Sequence, residues 1–250
     1  MSEARRQHLE EERGVWAEFG EDLTRTVQFS DGVFAIAVTL LALEIRIPAI
    51  PEALVATQLT PAIVALLPRI LVYVLTFMNI SVMWIAHHRA FTHIHRYDTP
   101  LLWMNAFFLM LVAFLPVASS TLGAYPTRPS AVVFYGVVLV AVTLGDLQIW
   151  LYATFKRHLV DDDIDPRVVR YITLRALFPG VVFALAIPVA FFAPAVAEVM
   201  MGAVFFTALI LGRVYSPVLA HYASHPKQRT PRGPSRSEND DVDAPTGDGT

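Results

Sequence analysis

Long apolar runs alternate with short polar segments along most of this chain. Six runs reach or approach the roughly 20 residues that an α-helix needs to cross a bilayer. They lie at about 28–47, 62–86, 101–120, 131–155, 171–193 and 195–220. Only Pro194 and Glu198 mark the break between the last two runs, which favours a helical hairpin with a very short turn. The pattern predicts an all-α integral membrane fold with six transmembrane helices.

Positive charge is distributed unevenly around these runs. With the N-terminus placed inside, 16 of the 19 Lys and Arg residues fall on cytoplasmic segments, and the others are Arg46, Arg69 and Arg128. Because cytoplasmic loops of membrane proteins carry the excess of Lys and Arg, both termini are predicted to be cytoplasmic. A five-helix fold would put the basic C-terminal tail outside and is disfavoured. We expect an N-terminal cytoplasmic segment at 1–24, the six-helix domain at 25–222 and a disordered cytoplasmic tail at 223–250.

The composition agrees with a membrane protein and argues against several other classes. Of the 250 residues, 55% are hydrophobic and only 16% are charged, whereas a typical soluble domain is about 25% charged. The chain has no cysteine, which excludes disulfides, thiolate metal sites and cysteine nucleophiles. A net charge of −3 offers no basic domain for nucleic acid. No catalytic motif is evident, so an enzyme is the weakest class, and no cofactor is expected.

The first run, "RTVQFSDGVFAIAVTLLALEI" at 25–45, is polar at both ends. Its uninterrupted stretch of apolar residues and threonine, 32–43, is the shortest of the six. A helix of this kind suits a position among protein groups or beside a water path better than one that faces lipid all round. Asp31 lies about one and a half helical turns inside the cytoplasmic boundary, where an unpaired carboxylate is costly.

Two other helices carry polar groups at a similar depth. The second run ends near His87 and His88, and Asn105 lies about one turn into the third. We therefore expect a buried network of Ser30, Asp31, Asn105 and one of the two histidines, because burial costs less when the partners are protein groups. The alternative is an interfacial Asp31 that is favoured by the helix dipole. Adjacent histidines diverge by about 100° on a helix, so no metal site is expected.

The opposite face of the first helix carries a short apolar stripe. Ile36, Leu40 and Leu43 follow at i, i+4 and i+7, and Thr39 lies at the edge of the stripe. Spacing alone favours an ordinary packing stripe over a hydrophobic constriction in a pore. The Thr39 hydroxyl can offer an oxygen to a permeating ion or bond back to the preceding turn.

Three motifs, found in order along the chain, resemble the endosomal and lysosomal potassium-channel family and its prokaryotic homologues. "RTVQFSD" fits R-x-x-x-F-S-D at Arg25, Phe29, Ser30 and Asp31. "YVLTFMNISVMWIAHHRAF" supplies Tyr73, Trp84, His87, His88 and Phe91 on the second helix, and "NAFFLMLVAFLP" runs from Asn105 to Pro116 on the third. The resemblance covers roughly 25–120 in detail and the six-helix layout beyond it.

The resemblance implies a homotetramer whose first helices line a pore on the tetramer axis. Ile36, Leu40 and Leu43 match the bulky aliphatic constriction, and Thr39 matches a threonine that contributes to ion preference. The R-x-x-x-F-S-D group and its neighbours are implied to be structural, holding the pore helix in place: Arg25, Phe29, Ser30, Asp31, Trp84, His87, His88 and Asn105. The expected function is a potassium-preferring cation channel of modest selectivity in a bacterial or archaeal cell membrane. Its expected partners are potassium ions, the lipid bilayer and further copies of itself.

Some features keep more than one interpretation. Asp146, within the fourth helix, is either functional or half of a structural pair. Glu44 belongs to an outer ring that concentrates cations, pairs with Arg46, or faces solvent. The alternative function is a secondary transporter or proton pathway that uses Asp31, Asp146 and the histidines, although transporters commonly show internal repeats and none is evident here.

Overall fold

A computed structural model describes the backbone of residues 3–155, 159–160 and 164–224, and the side chains from 23 to 210 within those ranges. The regular elements of the described chain are helices, apart from one isolated β-bridge. Its helices are α1 Glu3–Leu43, α2 Val55–Val64, α3 Leu67–Phe91, α4 Thr99–Ala124, α5 Pro129–Phe155, α6 Pro166–Ala190 and α7 Pro194–Ser224, with a 3₁₀ turn at Glu52–Leu54. The all-α class that the sequence predicts is therefore confirmed.

Within the residues that the structure describes, five segments are long and apolar enough to cross a membrane. They are Leu23–Leu43, Glu52–Phe91, Thr99–Ala124, Pro129–Phe155 and Pro166–Ala190. The described apolar part of α7, Pro194–Ile210, is shorter than these spans. The sixth crossing therefore remains a prediction, as do the positions of the two termini.

The first two apolar runs differ from the predicted helices at their outer ends. α1 ends at Leu43 instead of continuing to Ile47, and the Arg46 Nε donates to the free Leu43 carbonyl at 3.1 Å. The predicted run at 62–86 crosses a break between α2 and α3. Pro68 lies in the first turn of α3, where its missing N–H costs no helical hydrogen bond. The chain therefore starts a new helix there.

The core of the bundle lies around α4 and α5. α5 packs on α4 and α6, while α1 packs on α3 and α4 at the side of the bundle. Large side chains that are fully buried include Phe108 of α4, Tyr135 and Trp150 of α5 and Phe183 of α6. α1 is consequently a peripheral helix, held along one face.

Two connections meet at the cytoplasmic end predicted from the charge pattern. Ile94, after α3, forms an antiparallel bridge with Val160, after α5, and the His95 N–H donates to the Leu159 carbonyl at 3.0 Å. The Asp98 carboxylate caps α4 by accepting from the Leu101 N–H at 3.0 Å, and it also accepts from the Tyr152 hydroxyl at 2.6 Å. The C-terminal ends of α3 and α5 thus lie on the same side of the bundle, as alternating crossings require.

The chain divides into two compact units, Met1–Gly212 and Arg213–Thr250. In the second unit the described part, 213–224, is helical. The disordered tail predicted at 223–250 lies almost entirely outside the described residues.

Candidate functional site

The membrane-crossing part of α1 has a buried face and an exposed face. The residues packed against the subunit are at most 3% exposed and follow at i, i+4, i+7 and i+11: Ser30, Phe34, Ala37 and Leu41. On the opposite face, 40–62% of the side-chain surface is exposed at Phe29, Ile36, Leu40 and Leu43. The stripe of Ile36, Leu40 and Leu43 is therefore not a packing stripe within the subunit.

Two further positions shape the exposed face of α1. The Thr39 hydroxyl donates to the Ile36 carbonyl at 2.8 Å, so it makes the back-bond that the sequence allowed. Its oxygen still keeps lone pairs that can accept. Gly32 lies one turn before Ile36, and a Cβ placed there would meet nothing within 4 Å. The exposed face is thus open around Gly32, one turn before the apolar stripe.

One part of the expected polar network joins α1 to α4. The Asn105 side-chain amide donates to the Ser30 hydroxyl oxygen at 3.1 Å, and both residues are buried. The Ser30 hydroxyl in turn donates to the Thr26 carbonyl at 2.9 Å. This bond gives Ser30 a protein partner at a depth where water is scarce.

Asp31 bonds to Trp84 of α3, so the expectation of a histidine partner was wrong. The indole Nε1–H donates to the Asp31 carboxylate at 2.7 Å. Trp84 lies nearly one turn before His87 on the same helix, and its indole is a pure donor, which suits a carboxylate. His88 is exposed, and its ring centroid lies 5.8 Å from the ring of Trp84.

His87 bonds instead to Asp146 of α5. Its Nδ1 lies 2.8 Å from the Asp146 Oδ1, and the two residues are 4% and 8% exposed. The His87 ring stacks on Phe108 at 4.8 Å between centroids and lies 5.8 Å from Phe34, on the buried face of α1. Asp146 is therefore half of a buried pair, the structural alternative left open by the sequence, and His87 connects α5 to α1.

The remaining members of the R-x-x-x-F-S-D motif border a groove. Arg25 and Phe29 are on the exposed side of α1, where they line an open groove of about 700 Å³ together with Tyr97, Leu102 and Asn105. The motif thus divides between two surfaces, with Ser30 and Asp31 turned toward α4 and α3 and with Arg25 and Phe29 turned toward the groove.

A second buried polar cluster, which was not predicted from the sequence, joins α3, α4 and α5. The Thr76 hydroxyl lies 3.0 Å from both the Ser119 hydroxyl and the Tyr135 hydroxyl. The Asn79 amide donates to the Tyr135 hydroxyl at 3.4 Å. The signal was the presence of Thr76 and Asn79, three residues apart, within an apolar run. The cluster supports the subunit interior and does not reach the exposed face of α1.

The structure also bears on two other candidates from the sequence, the pairing of Glu44 and a metal site at the histidines. Ser120 of α4 donates to the Glu44 Oε2 at 2.8 Å, while Arg46 bonds to the backbone, so the Glu44–Arg46 pair is not formed. Among the residues the structure describes, no group of three or more His, Asp or Glu is placed to hold a metal ion.

Within the described residues, five apolar spans, one of them the peripheral first helix, define a multi-pass α-helical membrane protein. The family model described as endosomal/lysosomal potassium channel TMEM175 matches residues 25–116. A protein named potassium channel from Streptomyces collinus is 35% identical over 171 residues, which cover 67% of this chain and 82% of the relative. Another of that name from Chamaesiphon minutus is 36% identical over 170 residues, covering 65% and 83%. This chain belongs to the TMEM175 family of ion channels.

A solved structure and a more distant relative extend the comparison. The crystal structure of a lysosomal potassium-selective channel TMEM175 homolog from Chamaesiphon minutus matches with a TM-score of 0.66 and 29% identity, covering 78% of this chain and 99% of that one. Human endosomal/lysosomal proton channel TMEM175 is 30% identical over 178 residues, which cover 68% of this chain but 34% of the human protein. The resemblance carried by the R-x-x-x-F-S-D motif is thereby confirmed.

Proposed function

We propose that this protein is a potassium-preferring cation channel of modest selectivity in a bacterial or archaeal plasma membrane. Four copies surround a central pore lined by α1, each with six membrane-crossing helices and both termini in the cytoplasm. The names of the bacterial relatives support potassium as the ion. The arrangement of α1 supports the position of the pore.

The length of α1 between its acidic groups is the observation that carries the proposal. Asp31 lies twelve residues before Leu43, the last residue of α1, and Glu44 follows Leu43 directly. Twelve residues correspond to about 18 Å of helix at about 1.5 Å per residue. The hydrocarbon core of a bilayer is about 30 Å thick. If the exposed face of α1 met lipid, Asp31 or Glu44 would lie within hydrocarbon at high cost. A water-filled path along this face removes that cost.

The exposed side chains of α1 account for the proposed permeation. Four copies of Ile36, Leu40 and Leu43 form a hydrophobic neck, which gates by wetting and dewetting and offers no oxygen cage to replace an ion's water. An ion therefore crosses largely hydrated, and selectivity is modest. The four Thr39 hydroxyl oxygens are the polar groups within the neck and favour potassium there.

The polar contacts at the cytoplasmic end are proposed to hold α1 in register. Three bonds tie this region together: Ser30 to Asn105, Asp31 to Trp84, and His87 to Asp146. The last acts on α1 through the contact of the His87 ring with Phe34. Arg25 and Phe29 are proposed to line the cytoplasmic approach to the pore, and His88 to support the Trp84 ring.

A flux assay tests the neck. Purified protein in liposomes should release potassium down its gradient without a counter-substrate. Ile36→Ser and Leu43→Ser should raise the flux and lower the preference for potassium over sodium, because a polar ring removes the dewetting barrier. Leu185→Ser on α6 is the control, since Leu185 is 57% exposed, close to the 60% of Ile36. Unchanged flux and preference in both α1 variants would contradict the assigned neck.

The alternative, a transporter or proton pathway, is favoured by the eukaryotic relatives that are named proton channels. It requires protons to reach Asp31 or the buried pair of His87 and Asp146. It predicts potassium movement that saturates at low turnover and demands a coupled ion, or a proton current that Asp31→Asn abolishes while potassium flux is kept. Either result in the same liposomes would replace the potassium-channel proposal.

A further inference from the structure

An acidic residue follows the end of α1 that is predicted to face the outside. Glu44 directly follows Leu43, the last residue of α1, and its side chain is exposed. The Ser120 hydroxyl, near the C-terminal end of α4, donates to the Glu44 Oε2 at 2.8 Å. This contact ties the carboxylate to a neighbouring helix and limits its rotamers.

The nearest basic residue in sequence forms no ion pair with Glu44. Arg46 is turned back along the chain, with its Nε bonded to the Leu43 carbonyl. Arg69 of α3 lies with its aliphatic stem against Gly123 of α4. Within the part of the chain that the structure describes, the hydrogen-bond partner of the Glu44 carboxylate is the Ser120 hydroxyl. Its negative charge is therefore held in place and solvated.

We propose that Glu44 sets the cation concentration at the outer mouth of the pore, with Ser120 as its positioning residue. The inference rests on the proposed function, because it needs α1 to line a pore of four subunits. Ser120 belongs to α4, which packs on the buried side of α1, so each carboxylate is held at the flank of the mouth and not on the axis. Glu44 therefore acts through the electrostatic potential of the vestibule and does not coordinate the ion.

Screening by salt distinguishes this role from a structural one. The Debye length is about 30 Å at 0.01 M and about 3 Å at 1 M ionic strength. A ring of negative charge enriches cations at a channel mouth over that distance. Glu44→Gln should lower the unitary inward potassium conductance by about two-fold or more at 0.01 M salt and have almost no effect at 1 M. A loss of folding or assembly would lower current equally at both concentrations.

The absence of cysteine from the chain permits a direct test of charge. In planar bilayers, Glu44→Cys should conduct like Glu44→Gln at 0.01 M salt. A negatively charged thiosulfonate added to the outer side should restore conductance, and a positively charged one should lower it further. The unmodified protein, treated with both reagents, is the control because it has no thiol to react.

The positioning role of Ser120 has its own variants. Ser120→Ala should lower low-salt conductance by less than Glu44→Gln, and Ser120→Thr, which keeps the hydroxyl, should restore it. Equal conductance of Glu44→Gln and the unmodified protein at 0.01 M, or the same response to both reagents, would overturn the inference while leaving the channel intact. Absence of potassium current from the unmodified protein would instead refute the proposed function itself.

Discussion

Removing the carboxylate of Asp146 should destabilise the subunit more than most single substitutions. Asp146 is 8% exposed, and its Oδ1 lies within hydrogen-bond distance of the His87 Nδ1, 2.8 Å away. The other ring nitrogen of His87, Nε2, is buried with no hydrogen-bond partner in the described chain. In Asp146→Ala the imidazole would keep its buried position with neither nitrogen paired.

The expected cost follows from burial of the pair. Removing one partner of a buried, charged pair costs about 3–5 kcal/mol, and leaving a neutral polar group unpaired costs about 1–3 kcal/mol. We expect about 3 kcal/mol for Asp146→Ala, because His87 is also packed between Phe34 and Phe108 and cannot turn to water. The double variant His87→Leu with Asp146→Leu should cost less than Asp146→Ala, because it leaves no unpaired polar group.

The assay is reversible unfolding of the purified protein in mixed micelles, followed by tryptophan fluorescence. Leu144→Ala is the control on the same helix, since Leu144 is 52% exposed and its truncation should change the free energy of unfolding by less than about 0.5 kcal/mol. A cost below about 1 kcal/mol for Asp146→Ala, or a double variant that costs more than Asp146→Ala, would refute this account of the pair.

Three further predictions concern α1 and the core. Trp84→Phe keeps an aromatic ring but removes the donor to Asp31, and we expect a loss of about 1 kcal/mol because the pair is partly exposed; a coupling energy near zero in a cycle with Asp31→Asn would contradict the bond. Gly32→Ala should stabilise α1 by roughly 0.5–1 kcal/mol in thermal unfolding, because its Cβ meets open space. Gly136→Leu should cost about 1–3 kcal/mol of stability, because even a Cβ there lies 2.8 Å from the Met201 Cε. If Gly32→Ala were the less stable of the two glycine variants in thermal unfolding, this description of the packing would be wrong.

Much of the architecture can be predicted from the sequence of this protein. A backbone that crosses hydrocarbon must satisfy its own hydrogen bonds, so apolar runs of about 20 residues leave little alternative to helices. The R-x-x-x-F-S-D motif identified the family, and the depth of Asn105 in its helix suggested the bond to Ser30 that the structure contains. The depth of a residue in the bilayer follows from its position along a membrane-crossing helix, so it can be estimated from the sequence alone.

The partners of Asp31 and His87 could not be predicted in the same way. Trp84, His87, His88 and Asn105 all lie near the depth of Asp31, so depth alone does not choose among them. Helix rotation and side-chain reach decide the choice, and they depend on how α1, α3, α4 and α5 pack together. Asp146 is 59 residues from His87 in the chain, and only the packing of α3 near α5 brings these two buried groups within hydrogen-bond distance. The same packing buries Phe34 and leaves Ile36 exposed, because one face of α1 is covered by α3 and α4 and the other is not.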